Sequence, residues 1–496
     1  MKFSPTPALA ALALSLATPL AAAPGPAALA EAQTIFSDWQ RAAHAPGLVY
    51  GIVADGELVA VHGSGVQDVA TRAPVTADSR FRIASMSKAF TALAILKLRD
   101  EGKLSLDAAA ETYVPELKGW SYPTSDSPRI TVRDLLHHSA GFVEDNPWGD
   151  RQQVLTEPKF TAMLKTGVPF SRAPGLAMEY SNLGYATLGR IISNVSGTRY
   201  QDYIRRELML PLGMTATGFD IFASPPRSRS LGYRWQGNRW VREPDMKDGA
   251  FGAMGGVETS ARDYARWVAF LLSAWPARDG PETGPVRRSS VREIVTGSNF
   301  VEGAMRDPAI GAAPCRQGRA YAMGWRVTED CDLGRVVAHG GGYPGYGSYV
   351  MLLPDRGAGL FAFSSLTYGG AYLPTWRAAL ALHKAGAFPG RTLAVSPGLG
   401  AAYAAAKAVW RAADIAAAPL ANNVLMDQDR AAWAKMIGDV KAAVGDCPAT
   451  EPVVPISAME GHFSWNCSHG RVTGRVQRAP TPQVSLQALE FAPARP

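Results

Sequence analysis

Cysteine is scarce in this chain of 496 residues: there are four, and neither neighbouring pair has the Cys-x-x-Cys spacing of a zinc site, so no bound metal is expected. An excess of one charge is missing too. Lys and Arg number 50 against 43 Asp and Glu, leaving +7 with no block of like charges, so nucleic acid is not an expected partner. Beyond the first two dozen residues no stretch approaches about eighteen uninterrupted apolar residues, the length a spanning helix needs. There is no Gly-x-Ser-x-Gly elbow, no His-Glu-x-x-His and no Gly-rich phosphate loop ending in Lys-Ser or Lys-Thr. Those absences remove the α/β-hydrolase and zincin readings. What remains is 47% hydrophobic and 19% charged, a globular composition long enough for roughly two to three domains.

The N-terminus carries a leader pattern. Lys2 precedes an apolar stretch from Ala8 to Leu20, and Ala21, Ala22 and Ala23 supply a small-residue cleavage site, so residues 1–23 are expected to be a secretory signal peptide. No cysteine follows to carry a lipid, and the expected location is periplasmic or secreted, without a stable membrane anchor. In such an oxidising compartment the cysteines make sense as two local disulfides, Cys315 with Cys331 and Cys447 with Cys467, although four cysteines allow three connectivities.

Apolar Val49 to Val53 and Leu58 to Val61 flank an Asp55-Gly56 turn, which reads as a hairpin over Gly47 to Gly65. Met86 to Arg99 has helical apolar spacing and few polar faces, so it is expected to be buried. From Leu104 to Ser298 helical patterns alternate with Pro- and Gly-rich loops, and Ser260 to Asp263 resembles a capping box opening a helix that runs to Leu272. Strand signals return at Arg335 to Gly340, Tyr346 to Leu353 and Leu360 to Ser364. The sheet is therefore expected to be built from both ends of residues 24–391, with helices inserted between. Past Thr392 the composition shifts to helical Leu399 to Ala418 and Asp427 to Val444, then three strand-like stretches from His462 to Phe491. Residues 392–496 are read as a separate small α+β domain, with too few strands for an eight-stranded barrel.

Three motifs carry chemistry. Ser85 and Lys88 form the single Ser-x-x-Lys, one turn apart on one helical face, where an amine desolvated among apolar groups can take a hydroxyl proton. An N-cap serine beside a surface lysine is the plain alternative. Tyr180-Ser181-Asn182 lies directly before a helical run from Leu183 to Val195; the phenol can shuttle protons, Asn182 can donate to a carbonyl, and Ser181 can cap the helix. His339-Gly340-Gly341-Gly342 closes a strand, where glycines allow close backbone approach, although a tight turn would also explain it. Backbone N–H groups of Ser85 and Gly342 are candidates for an oxyanion hole.

Taken together, and with the stretches Phe81 to Phe90, Ile130 to Gly141, Ala253 to Asp263 and His339 to Pro354, the chain resembles the serine β-lactamase and penicillin-recognising hydrolase superfamily. Its members include class C β-lactamases, D-alanyl-D-alanine carboxypeptidases, D-aminopeptidases and family VIII esterases. The resemblance covers roughly residues 35–385 and implies an α+β fold of β-lactamase/transpeptidase type: an antiparallel sheet flanked by helices, an inserted helical lobe, and a site between them. It implies Ser85 as the acylated nucleophile, Lys88 as its activator, Tyr180 as general acid/base, and Asn182, His339, Gly341 and Gly342 as substrate-binding positions. Which of Lys88 and Tyr180 takes the first proton is left open. His339 stands where β-lactamases usually carry lysine, which shifts the expected substrate toward D-amino-acid peptides and esters and away from carboxylate-bearing β-lactams. Trp148, Phe251 and Met254 are candidate pocket walls, and His137-His138 is expected to pack at the base of a loop. The activity implied is an acyl-enzyme hydrolase of small amides or esters, above all D-amino-acid peptides, without metal or cofactor; a class C-like β-lactamase or a family VIII-type esterase is the alternative among the enzymes. A penicillin-binding sensor that acylates without turnover is the alternative outside the enzymes.

Overall fold

The central strand-forming runs of this chain, such as Gly47–Ala54, Tyr346–Leu353 and Ala358–Ser364, are buried at nearly every position because both faces of the sheet are covered there. In the computed structural model, which describes residues 24–146 and 148–494, eight strands form one antiparallel sheet. The expected signal peptide lies outside the described residues. The strands are β1 (Gly47–Ala54), β2 (Glu57–Gly65), β3 (Asn299–Met305), β4 (Arg316–Tyr321), β5 (Arg326–Asp330), β6 (Gly334–Tyr343), β7 (Tyr346–Leu353) and β8 (Ala358–Ser364). Their spatial order is β2-β1-β8-β7-β6-β5-β4-β3. The N-terminal hairpin therefore closes against the last strand, Leu48 opposite Ser364, as the two-ended reading requires.

Side chains alternate across the sheet with period two. Val49, Val53, Val350, Leu352, Phe361 and Phe363 join the larger core, with α2 (Lys88–Asp100), α3 (Asn182–Ser196) and α4 (Ala261–Leu272). Leu48, Tyr50, Ile52, Met351, Leu360 and Ala362 face the other way, onto α1 (Pro26–Ala42) and α5 (Tyr372–Lys384). The helix expected over Met86 to Arg99 begins as a short 3-10 turn, Ala84–Ser87, and continues as α2, in which ten of the thirteen residues are buried. Ser260 caps α4 by accepting from the Asp263 N–H, and Ser181 caps α3 by accepting from the Gly184 N–H.

Three strands at one end of the sheet, β3 to β5, and the ribbon Tyr233–Gln236 with Arg239–Arg242 add to the strands read from the sequence. The ribbon turns through Gly237 and Asn238 at φ 58° and 56°, the two positive angles a tight hairpin needs. Among the described residues no helix is long and apolar enough to cross a membrane.

A third apolar cluster draws only on residues from Leu399 to Phe491. It lies between α6 (Pro397–Ala412), α7 (Arg430–Val444) and a sheet of β9 (Val454–Pro455), β10 (Glu460–Cys467), β11 (Gly470–Arg478) and β12 (Leu486–Pro493). The very short β9 raises the three expected strands to four. Both expected disulfides form: Cys315–Cys331 ties the open end of the β4–β5 hairpin, and Cys447–Cys467 ties the segment after α7 to the end of β10. With sequence separations of 16 and 20 between their cysteines, each is expected to contribute about 3 kcal/mol in the chain-entropy model. Peptide mapping without reductant should recover those two linked pairs, and a mixed pairing or free thiols would refute the assignment.

Candidate active site

The turn that carries Ser85 is held by β-type contacts on one side and a helix on the other. Ile83 N–H donates to the Val257 carbonyl at 3.0 Å, Ala84 takes a left-handed φ of 47°, and the 3-10 turn then aims Ser85 at the lobe interface. Ser85 stands in the first turn, so its N–H has no helical acceptor. Lys88, one turn on, has no exposure at all, and its Nζ meets three oxygens: Ser85 Oγ at 3.0 Å, Asn182 Oδ1 at 2.8 Å and the Met254 carbonyl at 2.8 Å.

Two of those three oxygens can only accept. A neutral amine therefore spends its two hydrogens on Asn182 and Met254 and turns its lone pair toward the Ser85 hydroxyl. Burial makes this form accessible, holding Lys88 down at about 7 against the opposing pull of Asp150 and Asp145. Tyr180 OH lies 2.8 Å from Ser85 Oγ on the other side, and burial pushes its phenol up, so it stays protonated and donates.

Asn182 opens α3, and its placement depends on a carboxylate that the sequence reading missed. Asp145 accepts from the N–H groups of Asn182 at 2.7 Å and Leu183 at 2.8 Å, satisfying first-turn donors that the Ser181 cap leaves over. Asn182 Nδ2 donates to Asn146 Oδ1 at 2.6 Å. A Cβ on Gly149 would lie 2.8 Å from the Asn182 side chain, so the loop needs glycine there to close over α3. Asp150, also missed, is raised to about 6, chiefly by burial, and accepts from the Tyr368 hydroxyl at 3.0 Å. The signal available for Asp145 was physical: a buried helix start has more N–H groups than one serine can satisfy.

The third motif occupies an open strand edge. β6 pairs with β7 as far as Tyr343 opposite Tyr346, but with β5 only as far as Ala338 opposite Arg326. Residues 339–342 thus have no β5 partner. Gly341 packs on the Ser85 turn so closely that a Cβ would overlap the Ile83 carbonyl oxygen and Ser348 Oγ. At Gly342 a Cβ would stand 2.6 Å from the Tyr368 ring.

His339 departs from the substrate-binding place expected of it. Its side chain is buried on the core face of β6, and both nitrogens are engaged inside the protein, Nε2 with Tyr321 OH at 3.1 Å and Nδ1 with the Gly340 carbonyl at 2.6 Å. Burial first, then Arg326 and Lys88, holds it down at about 3, so it is neutral. The pocket walls divide similarly. Trp148 is half exposed and meets Phe251 edge-to-face at 6.3 Å, whereas Phe251 and Met254 are wholly enclosed in the core. Met254 reaches the site through its backbone carbonyl, which periodicity cannot reveal.

Known proteins share this architecture. The Beta-lactamase family matches residues 32–385. Protein flp of Staphylococcus aureus (strain NCTC 8325 / PS 47) is 29% identical over 332 residues, 65% of this chain and 60% of that protein. Penicillin-binding protein 4* of Bacillus subtilis (strain 168) is 25% identical over 319 residues, 61% of this chain and 64% of its own. The chain therefore spans less than two thirds of the length of these relatives. Among solved structures, an octameric penicillin-binding protein homologue from Pyrococcus abyssi aligns over 94% of this chain and 95% of its own, with TM-score 0.60 and 20% identity. A class C β-lactamase aligns over 72% of this chain and 96% of its own, with TM-score 0.56 and 18% identity. At those identities the structural likeness concerns the fold. Since the family match runs over more than half of the chain, the protein belongs to the Beta-lactamase family of serine hydrolases.

Proposed function

We propose that the protein is an exported hydrolase that forms an acyl-enzyme on Ser85 with small amides or esters, above all those of D-amino acids. The observation that carries this reading is Ser85 Oγ held between an amine at 3.0 Å and a phenol at 2.8 Å, the amine brought to about 7 by burial. Neutral Lys88 takes the Ser85 proton as Oγ bonds to the acyl carbon. The oxyanion is received by the N–H groups of Ser85 and Gly342. Tyr180 protonates the departing nitrogen or oxygen, and the proton held by Lys88 restores the phenol. Water then adds to the ester under the same pair, and the bond to Oγ breaks.

The substrate class follows from charge. With His339 neutral, the third motif offers no cation to a substrate carboxylate, which weighs against β-lactams and favours D-aminopeptidase or esterase chemistry. A D-alanyl-D-alanine carboxypeptidase would have to find its cation elsewhere. The two disulfides support export to an oxidising compartment. The separate third core supports residues 392–496 as a domain of their own.

Intact mass spectrometry after brief and long exposure to a fluorescent penicillin, with Ser85→Ala alongside, tests the reading together with turnover of D-amino-acid amides, D-Ala-D-Ala peptides and nitrophenyl esters. The expected result is Ser85-dependent turnover of D-amino-acid amides or esters with little penicillin consumed. Full activity in Ser85→Ala would refute it, and an adduct that forms and clears as penicillin is hydrolysed would assign a β-lactamase instead.

A further inference from the structure

Behind Tyr180 lies a hydrogen-bonded chain that the mechanism does not use. His138 follows the short helix Val132–Leu136, and its Nδ1 accepts the Ser181 N–H at 3.1 Å. Its Nε2 faces Tyr321 OH at 3.1 Å, Tyr321 OH faces His339 Nε2 at 3.1 Å, and His339 Nδ1 faces the Gly340 carbonyl at 2.6 Å.

The two backbone ends fix every hydrogen. Ser181 N–H can only donate, so His138 Nδ1 is bare and its hydrogen is on Nε2, donated to Tyr321. Tyr321 then gives its one hydrogen to His339 Nε2, and His339 gives its Nδ1 hydrogen to a carbonyl, which can only accept. Along this chain every donor meets an acceptor and each ring is neutral. A further proton on either ring would set one donor against another, in a place where all three side chains are buried.

This chain grips Tyr180 from both sides. The His138 carbonyl accepts the Glu179 N–H at 2.8 Å while its ring accepts the Ser181 N–H, so Tyr180 is the residue bracketed between them. The His138 ring also lies 4.3 Å, centroid to centroid, from the Tyr180 ring. His138 holds a left-handed φ of 55°, a conformation that is strained for a side-chain-bearing residue and persists only where surrounding contacts impose it. Tyr321 and His339 stand on β4 and β6, so the bracket is anchored to the sheet while Tyr180 belongs to the helical lobe.

We propose that His138, backed by Tyr321 and His339, is the positioning residue that holds the Tyr180 phenol on Ser85 and so sets how well the enzyme expels poor leaving groups. This rests on the proposed role of Tyr180 as the acid. An acid matters when the leaving group is a strong base, as with an amide or a methyl ester, and little when it is nitrophenolate.

The test is Tyr321→Phe, which removes one oxygen and leaves two imidazole nitrogens without partners, compared with His138→Asn, which keeps an acceptor for the Ser181 N–H. In Tyr321→Phe, kcat on a D-amino-acid amide or methyl ester should fall about 10- to 100-fold, with KM within about twofold and nitrophenyl ester turnover down less than about threefold. His138→Ala should show a loss with the same leaving-group dependence, and His138→Asn should recover part of it. Equal losses on both leaving groups, or none, would overturn the proposal. Imidazole ¹⁵N spectra of the full chain give a readout independent of turnover. They should show neutral His138 protonated at Nε2 and neutral His339 at Nδ1 between about pH 5 and about 9, and a charged ring or the opposite tautomer would overturn the bracket itself. Failure of the Ser85 reading is seen separately, as ester turnover that survives Ser85→Ala.

Discussion

Replacing Lys88 by methionine is expected to lower kcat/KM by about a thousandfold or more, since the amine proposed to take the Ser85 proton is removed while the unbranched apolar stem is kept. On the same proposal this amine sets the pH dependence of the native enzyme. Below about 7 Lys88 carries a third hydrogen, and that hydrogen points at Ser85 Oγ in place of the lone pair. The rate should therefore fall about tenfold for each unit of pH below that point and level off above it. The sign can be checked with a neighbour. Asp150 raises the Lys88 value, so Asp150→Asn should let burial act with less opposition and move the acid limb to lower pH. A limb that stays in place, or a Lys88→Met enzyme near native activity, would assign the base elsewhere.

Tyr180→Phe carries the second large effect. The phenol is 2.8 Å from Ser85 Oγ, and burial holds its hydrogen on, so it is poised to act as a donor. Its loss should lower kcat on amides by about a hundred- to a thousandfold, with a smaller loss on nitrophenyl esters, whose leaving group departs as a stable anion. The two readouts are steady-state kcat and the ratio between leaving groups. Equal losses would mean that Tyr180 acts before the leaving group departs, as the acceptor of the Ser85 proton, which would reverse the roles of phenol and amine.

The buried elements were the legible ones. β1, β6, β7 and β8 and the central helix were readable because residues such as Val49, Ile52, Phe90 and Phe361 have one environment available to them, the core, and periodicity records that choice, while the edge strand β2 was readable from the Asp55-Gly56 turn that joins it to β1. β3 and β4 were not, because Phe300, Val301 and Met305 of the edge strand β3 face solvent and Arg316 to Tyr321 of β4 carries no apolar rhythm. Backbone groups at the site were invisible for a different reason: the Met254 carbonyl serves Lys88 whatever side chain residue 254 carries.

By itself, then, the sequence determined the chemical kinds at the site, a serine one turn from a lysine, a tyrosine before a capped helix, and a glycine run ending a strand, because local geometry alone sets those spacings. Only the tertiary structure decided their states. Lys88 is held near neutrality because α2 is buried from every side and Asn182 and Met254, 94 and 166 residues away, bring their oxygens to it. His339 became a brace because Tyr321 and Gly340 claim both of its nitrogens. Asp145 became a helix cap because a loop folds back across α3. Solvent exclusion and hydrogen-bond satisfaction are properties of the packed neighbourhood, and contacts between distant segments set that neighbourhood, so no local pattern of residues encodes it.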